Sequence, residues 1–233
     1  MGCIRLLTDW PCLTKGLERI MIGMKLPMFV MLLGLFLGLG IEGTYAQSPP
    51  ARAKKIVVLG DSIADGFGVD KDKSYPAILE SMLKKNGHSL IVVNAGISGS
   101  TTASALSRLK WQLRQKPYLL IIELGGNDGL RGIAVSSSKS NLSKTIKLAK
   151  ENGVKTLITG MRLPANYGEK YRREFEEMFS QLAIEHQVPL MPFLLKGVGG
   201  KPEFNLPDGI HPNEKGHSKI AENLLPYVEK ELQ

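Results

Sequence analysis

The sequence predicts an α/β fold, a three-layer α/β/α sandwich around a five-stranded parallel sheet. Short apolar runs alternate five times with amphipathic stretches of helical period, which is the pattern of repeated βαβ units. The apolar runs are continuous rather than alternating, as expected of parallel strands that are covered on both faces. Crossovers should then be right-handed, and a ligand site should lie at the carboxyl ends of the strands.

Each element follows from its own stretch of sequence. The predicted strands are Lys55–Leu59, Leu90–Asn94, Tyr118–Leu124, Lys155–Met161 and Val188–Phe193. The predicted helices are Ser74–Asn86, Thr101–Gln115, Ser138–Glu151, Glu169–His186 and Asn213–Lys230. In the first helix, Leu79, Met82 and Leu83 recur at three- and four-residue spacing, which indicates one buried face. By the same spacing we expect Trp111 to belong to the core.

The N-terminus has the pattern of a secretory signal peptide. The uncharged apolar run Leu26–Ile41 follows Lys25, and the small residues Thr44 and Ala46 stand at the −3 and −1 positions before Gln47. A basic segment, a short apolar segment and a small-residue cleavage site are the three parts of such a leader. A membrane anchor is the alternative, but the run is shorter than the ~20 residues that span a bilayer. We therefore expect export to the periplasm or the medium.

Domain boundaries follow from this leader. We expect residues 1–46 to be the signal peptide, with translation starting at Met21 or Met24, residues 47–53 to be a linker, and residues 54–233 to be one domain of ordinary size. Both cysteines, Cys3 and Cys12, lie in the leader, so the mature protein should contain no disulfide.

Charge says little about partners. The chain carries a formal net charge of +8, which could attract nucleic acid or an anionic surface. The basic residues are scattered among acidic ones without a run, so a solvated surface is the better interpretation. We expect no nucleic-acid partner, no stable membrane anchor, no cofactor and a monomeric protein.

Three polar, glycine-rich clusters each follow a predicted strand, and a fourth lies past the last predicted strand. They contain Gly, Asn and Asp, the residues that let a backbone turn tightly and present its amides to a ligand. The clusters are Gly60–Gly66, Asn94–Thr101, Gly125–Gly129 and Asp208–Asn213.

The residue types in these clusters favour nucleophilic catalysis. Ser62 follows a strand, where its hydroxyl would be exposed, but a serine needs a base to become a nucleophile. His211 can serve as that base, since an imidazole titrates near the working pH. Asp208 precedes His211 by three residues, so one turn could bring its carboxylate to the imidazole and fix the tautomer.

The same four clusters, in this order, resemble the four blocks of the SGNH (GDSL-type) hydrolase family over nearly all of the mature chain. The stretches Gly125–Gly132, Arg162–Gly168 and Asp208–Asn213 resemble its thioesterase and lysophospholipase members most closely. The resemblance implies a flavodoxin-like sandwich and an esterase, thioesterase, arylesterase or lysophospholipase. It also assigns the oxyanion hole to the backbone amides of Ser62 and Gly99 and to the side-chain amide of Asn127.

An apolar groove for an acyl chain is expected near the strand ends. We predict that Leu130, Leu163 and Tyr167 line it, with further candidates in the same loops: Arg131, Ile133, Met161 and Pro164. Such a groove would suit a small-molecule thioester, an aryl ester or a lysophospholipid.

Other interpretations stay open at this point. Asp208 and His211 could hold a metal, although two ligands without a further His or Cys cluster are poor zinc chemistry. A nucleotide-binding protein is disfavoured because neither phosphate-binding glycine motif is present. A non-catalytic relative should have lost one of the three catalytic residues. A carbohydrate O-acetylesterase would use the same residues with a different pocket, and is the main alternative.

Overall fold

The computed structural model describes residues 53–233, and the predicted leader and most of the linker lie outside this part of the chain. The predicted sheet is confirmed, with five strands in the order β2-β1-β3-β4-β5, all parallel. The strands are β1 (Lys54–Gly60), β2 (Leu90–Asn94), β3 (Leu119–Glu123), β4 (Lys155–Thr159) and β5 (Leu190–Met191).

Seven α-helices join these strands within residues 53–233. They are α1 (Ser62–Asp65), α2 (Tyr75–Lys85), α3 (Ala105–Gln112), α4 (Gly126–Leu130), α5 (Val135–Glu151), α6 (Glu169–His186) and α7 (Glu214–Leu232). Helices α2 and α7 pack against each other on one side of the sheet, while α5 packs against α3 and α6 on the other. The result is the predicted three-layer sandwich.

The two central strands carry the core. In β1 the four consecutive residues Ile56–Leu59 are fully buried, and every residue of β3 is buried as well. A strand buried on both faces has no polar side to reveal its period, which is why both read as continuous apolar runs. Glu123 ends β3, and its side chain is as inaccessible as the leucines before it.

Some elements differ from prediction. The fifth strand is reduced to two residues because the chain leaves the sheet at Pro192, where it has no N–H to donate to a neighbour. The predicted helix over Thr101–Gln115 is α3 flanked by two 3-10 turns. The prediction that Trp111 lies in the core is wrong: it is 62% exposed and stacks under the Arg114 guanidinium.

Among residues 53–233, no helix is both long enough and apolar enough to cross a bilayer.

Candidate active site

Ser62 begins the short helix α1 directly after β1. The Asp61 side chain caps this helix, its Oδ1 accepting a hydrogen bond from the Ile63 N–H at 3.0 Å. Gly66 ends the helix with a φ of 80°, a conformation that glycine adopts without a steric penalty. Ser62 is thereby held at the carboxyl end of the sheet, 9% exposed on the floor of a cavity.

Asp208 and His211 meet Ser62 from the far end of the chain. The Nδ1 atom of His211 lies 2.6 Å from Asp208 Oδ2, and its Nε2 atom lies 3.0 Å from Ser62 Oγ. Asp208 Oδ1 accepts the backbone N–H groups of Ile210 and His211, both at 2.9 Å. The loop therefore fixes the carboxylate and the imidazole relative to each other before either touches the serine.

These hydrogen bonds determine the charge of Asp208. Partial desolvation alone would raise its pKa, but the backbone and imidazole donors of His211 and the Ile210 N–H lower the pKa of Asp208 to about 2. The carboxylate is thus ionised throughout the neutral range. An ionised partner favours a proton on the facing Nδ1, which leaves Nε2 free to accept one from the serine.

Asn127 lies on α4, just after β3, and lines the same cavity as His211. Its Nδ2 donates to Asp61 Oδ2 at 3.2 Å, and Asn127 and Ser62 both line the cavity. Burial raises the pKa of Asp61 despite the hydrogen bond from Ile63. Asp61 therefore connects residues 60–66, the turn that carries the predicted nucleophile (the nucleophile turn), to Asn127.

Gly99 lies on the loop after β2, which is fastened to the nucleophile turn. Ser98 Oγ donates to Asp65 Oδ2 at 2.7 Å, and a Cβ on Gly96 would come within 2.2 Å of the Asp65 nitrogen. Gly99 has a φ of 76°, and its carbonyl accepts from Arg131 at 3.1 Å. It is not among the residues that line the cavity.

The cavity itself holds about 640 Å³ and is mostly apolar. Leu130 and Leu163, which were expected in the groove, line this cavity together with Met161 and Pro164. Four further apolar residues that we did not predict also line the cavity: Ile63 after β1, Phe193 and Leu195 after β5, and Ile210 beside His211.

Tyr167, expected in the groove, does not line this cavity, and neither do Arg131 and Ile133. Tyr167 lies in a 3-10 turn, and its hydroxyl donates to the Leu130 carbonyl at 3.0 Å. It thus holds Leu130, a residue of the cavity wall, because a hydroxyl is better satisfied by a carbonyl than in an apolar groove.

Two residues near the serine were missed by sequence reasoning. The Phe67 ring contacts the His211 ring with centroids 4.6 Å apart, although Phe67 is 48% exposed. Glu123 accepts hydrogen bonds from the backbone beneath Ser62. Its signal was present in the sequence, as a single carboxylate at the end of an otherwise apolar strand.

Asp128, which follows Asn127, is a buried hydrogen-bond acceptor. It accepts hydrogen bonds from Thr102 N–H at 2.9 Å, Thr102 Oγ1 at 2.5 Å and Ser138 Oγ at 2.9 Å. It joins α4 to the segment before α3 and to α5. Asn127, next to it in the chain, is thereby held in place.

Within residues 53–233, none of the other histidines forms a hydrogen bond with Ser62, Asp208 or His211. His217 is fully buried, with Nδ1 accepting from the Tyr75 N–H at 3.2 Å. Burial, with a smaller effect from His211, lowers the pKa of His217 to about 4. Between residues 53 and 233, no three His, Cys, Asp or Glu side chains group closely enough to hold a metal ion.

Comparison with known proteins places this site in a family. Residues 58–219 match the GDSL-like Lipase/Acylhydrolase family. The chain is similar to the arylesterase of Vibrio mimicus, with 41% identity over 181 residues that cover 77% of this chain and 90% of that protein. It is also similar to thioesterase 1/protease 1/lysophospholipase L1 of Escherichia coli K12, with 37% identity over 184 residues, 78% of this chain and 85% of that protein.

The fold agrees with these matches. A crystal structure of TesA has a TM-score of 0.74 and 39% sequence identity to this chain, and the match covers 76% of this chain and 99% of the other.

Proposed function

The chain belongs to the GDSL-like lipase/acylhydrolase family and is a carboxylic ester hydrolase; we propose that it cleaves acyl esters and thioesters through a covalent acyl-enzyme on Ser62. The observation that carries this proposal is the unbroken chain of contacts from Asp208 through His211 to Ser62, at 2.6 and 3.0 Å.

Acylation begins at the serine hydroxyl. Ser62 Oγ attacks the carbonyl carbon of the ester while its proton moves to His211 Nε2, the atom that the Asp208 contact leaves able to accept it. The tetrahedral intermediate collapses as the C–O or C–S bond breaks, and the leaving group takes that proton from His211. Ser62 is then acylated and His211 is neutral again.

Deacylation repeats these transfers with water. His211 removes a proton from water as the oxygen attacks the acyl carbon, and returns it to Ser62 Oγ as the ester bond to the enzyme breaks. The ionised Asp208 stabilises the imidazolium in both half-reactions. The products are a carboxylic acid and the alcohol or thiol of the substrate, and the enzyme is regenerated.

The developing oxyanion needs fixed donors. We assign these to the backbone N–H groups of Ser62 and Gly99 and to Asn127 Nδ2. The Ser62 amide lies at the start of α1, and Asn127 faces the same cavity, which supports two of the three assignments. Removing one such donor in other hydrolases costs about 10²–10³-fold in kcat.

The shape and lining of the cavity favour an acyl chain over a polar group. Its volume of about 640 Å³ lies within the range of small-molecule sites, and its wall is formed by Leu130, Leu163 and neighbouring apolar side chains. We therefore propose thioesters, aryl esters or lysophospholipids with extended acyl chains as substrates. Carbohydrate O-acetyl groups are the alternative.

The predicted leader indicates where the enzyme acts. We propose that the segment ending at Ala46 directs export and is removed, so that the enzyme acts in the periplasm or medium. Intact-mass measurement of the exported protein tests this, since retention of Leu26–Ile41 would instead indicate an anchored enzyme.

The nucleophile is tested with a fluorophosphonate probe, which phosphonylates activated serines. The wild type should be labelled, whereas a folded Ser62→Ala variant should remain unlabelled and lose roughly 10⁶-fold in kcat, as catalytic-serine knockouts do elsewhere. Labelling that persists in Ser62→Ala would contradict the assignment.

A further inference from the structure

Glu123 is a fully buried carboxyl group that the mechanism above does not use. It ends β3, next to β1 in the sheet, with Gly60 and Glu123 paired in register. Its Oε2 atom accepts two backbone hydrogen bonds, from Asp61 N–H at 3.1 Å and from Ala64 N–H at 3.3 Å. One carboxyl oxygen therefore holds the chain on both sides of Ser62.

The approach of this carboxyl to the backbone depends on Gly60. A Cβ placed on Gly60 would lie 2.3 Å from Glu123 Oε2 and 2.4 Å from the Ala64 side chain. The φ of Gly60 is not positive, so the reason for glycine here is space rather than backbone conformation. Glycine at this position leaves room for the glutamate beneath the turn.

The two hydrogen bonds bear directly on the oxyanion donors. The Ser62 N–H lies between the two amides that Glu123 holds, so its direction is set with theirs. Asp61, whose N–H is one of the two, accepts from Asn127 Nδ2 at 3.2 Å through its side chain. Glu123 thus acts on one donor through the backbone and on a second through Asp61.

We propose that Glu123 is a positioning residue for the oxyanion hole, acting through the two backbone hydrogen bonds that it accepts beneath Ser62 rather than through its charge. This inference rests on the proposed function, since it takes Ser62 as the nucleophile. Burial, and next the charge of Asp61, raise the pKa of Glu123 well above its ordinary value, which favours the neutral acid. A glutamine has the same shape and can accept the same two bonds.

Two conservative variants separate the effect of the length of the Glu123 side chain from the effect of its charge. Glu123→Gln keeps the length of the side chain and removes its charge, whereas Glu123→Asp keeps the carboxyl group and withdraws the oxygen by one methylene. We expect Glu123→Gln to retain kcat within about threefold, and Glu123→Asp to lose about 10²-fold, since a misplacement of about 1 Å can cost that much. KM for the same ester should change little in either variant.

Inhibitor affinity distinguishes positioning from general loss of structure. A trifluoromethyl ketone adds to an active serine and forms an oxyanion, while the matching unfluorinated ketone does so far less. For Glu123→Asp, the affinity for the fluorinated ketone should fall in proportion to kcat/KM, and that for its partner should stay nearly constant. Thr159→Val is the matched control, because it removes a buried hydrogen bond to the Ile122 carbonyl on the same strand without touching the nucleophile turn.

The outcomes are distinct. A Glu123→Asp variant as active as Glu123→Gln or more so would overturn the inference, because the length of the side chain would then not determine kcat. A Glu123→Gln protein that does not fold would overturn it as well, because the charge of the carboxyl group would then be required. An equal loss of kcat in Thr159→Val would overturn it too. Turnover that survives in Ser62→Ala would overturn the proposed function, and this inference with it.

Discussion

Asp208 Oδ2 lies 2.6 Å from His211 Nδ1, and both residues belong to one loop whose backbone N–H groups bind the other oxygen of the same carboxylate. Asp208→Asn would keep the size of the side chain but turn its amide toward a nitrogen that must donate. The imidazole would then take the wrong tautomer, and we expect kcat to fall roughly 10⁴-fold with the fold intact. Steady-state kinetics and circular dichroism measure the two effects.

The pH dependence provides the control for Asp208. Because the pKa of Asp208 is lowered to about 2, its ionisation should not shape the activity profile between pH 5 and 8. In wild-type enzyme, EDTA should leave the activity unchanged. An Asp208→Asn variant with near-wild-type kcat would mean that another group orients His211.

Acyl-chain preference should follow from the apolar cavity. Each methylene buried against its wall should contribute about 0.8 kcal/mol, roughly a fourfold gain in kcat/KM where fully realised. Activity on p-nitrophenyl esters should therefore climb from acetyl toward octanoyl and then level off. A series in which the acetyl ester is fastest would support the O-acetylesterase alternative.

Leu163 should contribute to that preference. We expect Leu163→Ala to lower the octanoyl-to-acetyl ratio of kcat/KM by about tenfold, since a few methylene contacts are worth 1–3 kcal/mol. The ratio within one sample is independent of how much of the variant is folded, which matters because Leu163 is only 5% exposed. Ile184→Ala, at an exposed position outside the cavity, should leave the ratio at its wild-type value.

Gly60 should not accept a side chain. A Cβ there would meet Glu123 and Ala64 at 2.3 and 2.4 Å, and relieving such overlap in a packed interior costs about 1–3 kcal/mol. Thermal unfolding should therefore show a clear loss of stability in Gly60→Ala. Gly199→Ala is the matched control, since its nearest neighbours are at 3.4 Å or more; equal melting temperatures for the two variants would contradict the close approach.

His217 should make the protein less stable in mild acid. Its pKa is lowered to about 4 in the folded protein, whereas an ordinary histidine has a pKa near 6.5. Between these values the unfolded chain binds a proton that the folded one does not, so the free energy of unfolding falls as pH drops from ~6.5 toward ~4. The full effect would be about 3 kcal/mol.

His217→Asn isolates this effect, because the amide oxygen can accept from the Tyr75 N–H and does not titrate. Urea unfolding at pH 7.5 and 4.5 should give a smaller pH difference for His217→Asn than for wild type. His88→Asn, at a partly exposed site, should behave like wild type. An identical difference in unfolding free energy between pH 7.5 and 4.5 for His217→Asn and wild type would exclude His217 as the source of the acid destabilisation.

Sequence periodicity predicted the sheet because burial on both faces leaves a plain trace, a run such as Leu119–Ile122 with nothing polar in it. It failed where a side chain's direction depends on another element. The ring of Tyr167 could line an apolar groove as Leu163 does, but its hydroxyl donates to the Leu130 carbonyl. Trp111 has the spacing of a core residue, yet no element of residues 53–233 covers its side of α3.

The candidate site, like the fold, could be predicted from the sequence only in part. The residue types and order of Ser62, Asp208 and His211 were sufficient to expect them together, because parallel strands bring their carboxyl ends to one edge. The two hydrogen bonds that Glu123 accepts depend on the register of β3 against β1 and on the space at Gly60. Neither is visible until the strands are aligned.

The contact between Ser62 and His211 joins positions 149 residues apart, and this has a consequence during synthesis. Ser62 is translated well before His211, which arrives shortly before α7, the helix that must dock on α2 to complete that side of the sandwich. A contact of such long sequence separation forms late in folding. On the proposed mechanism, the growing chain therefore carries Ser62 without its base until the segment before α7 has been translated, and hydrolytic activity should not arise earlier.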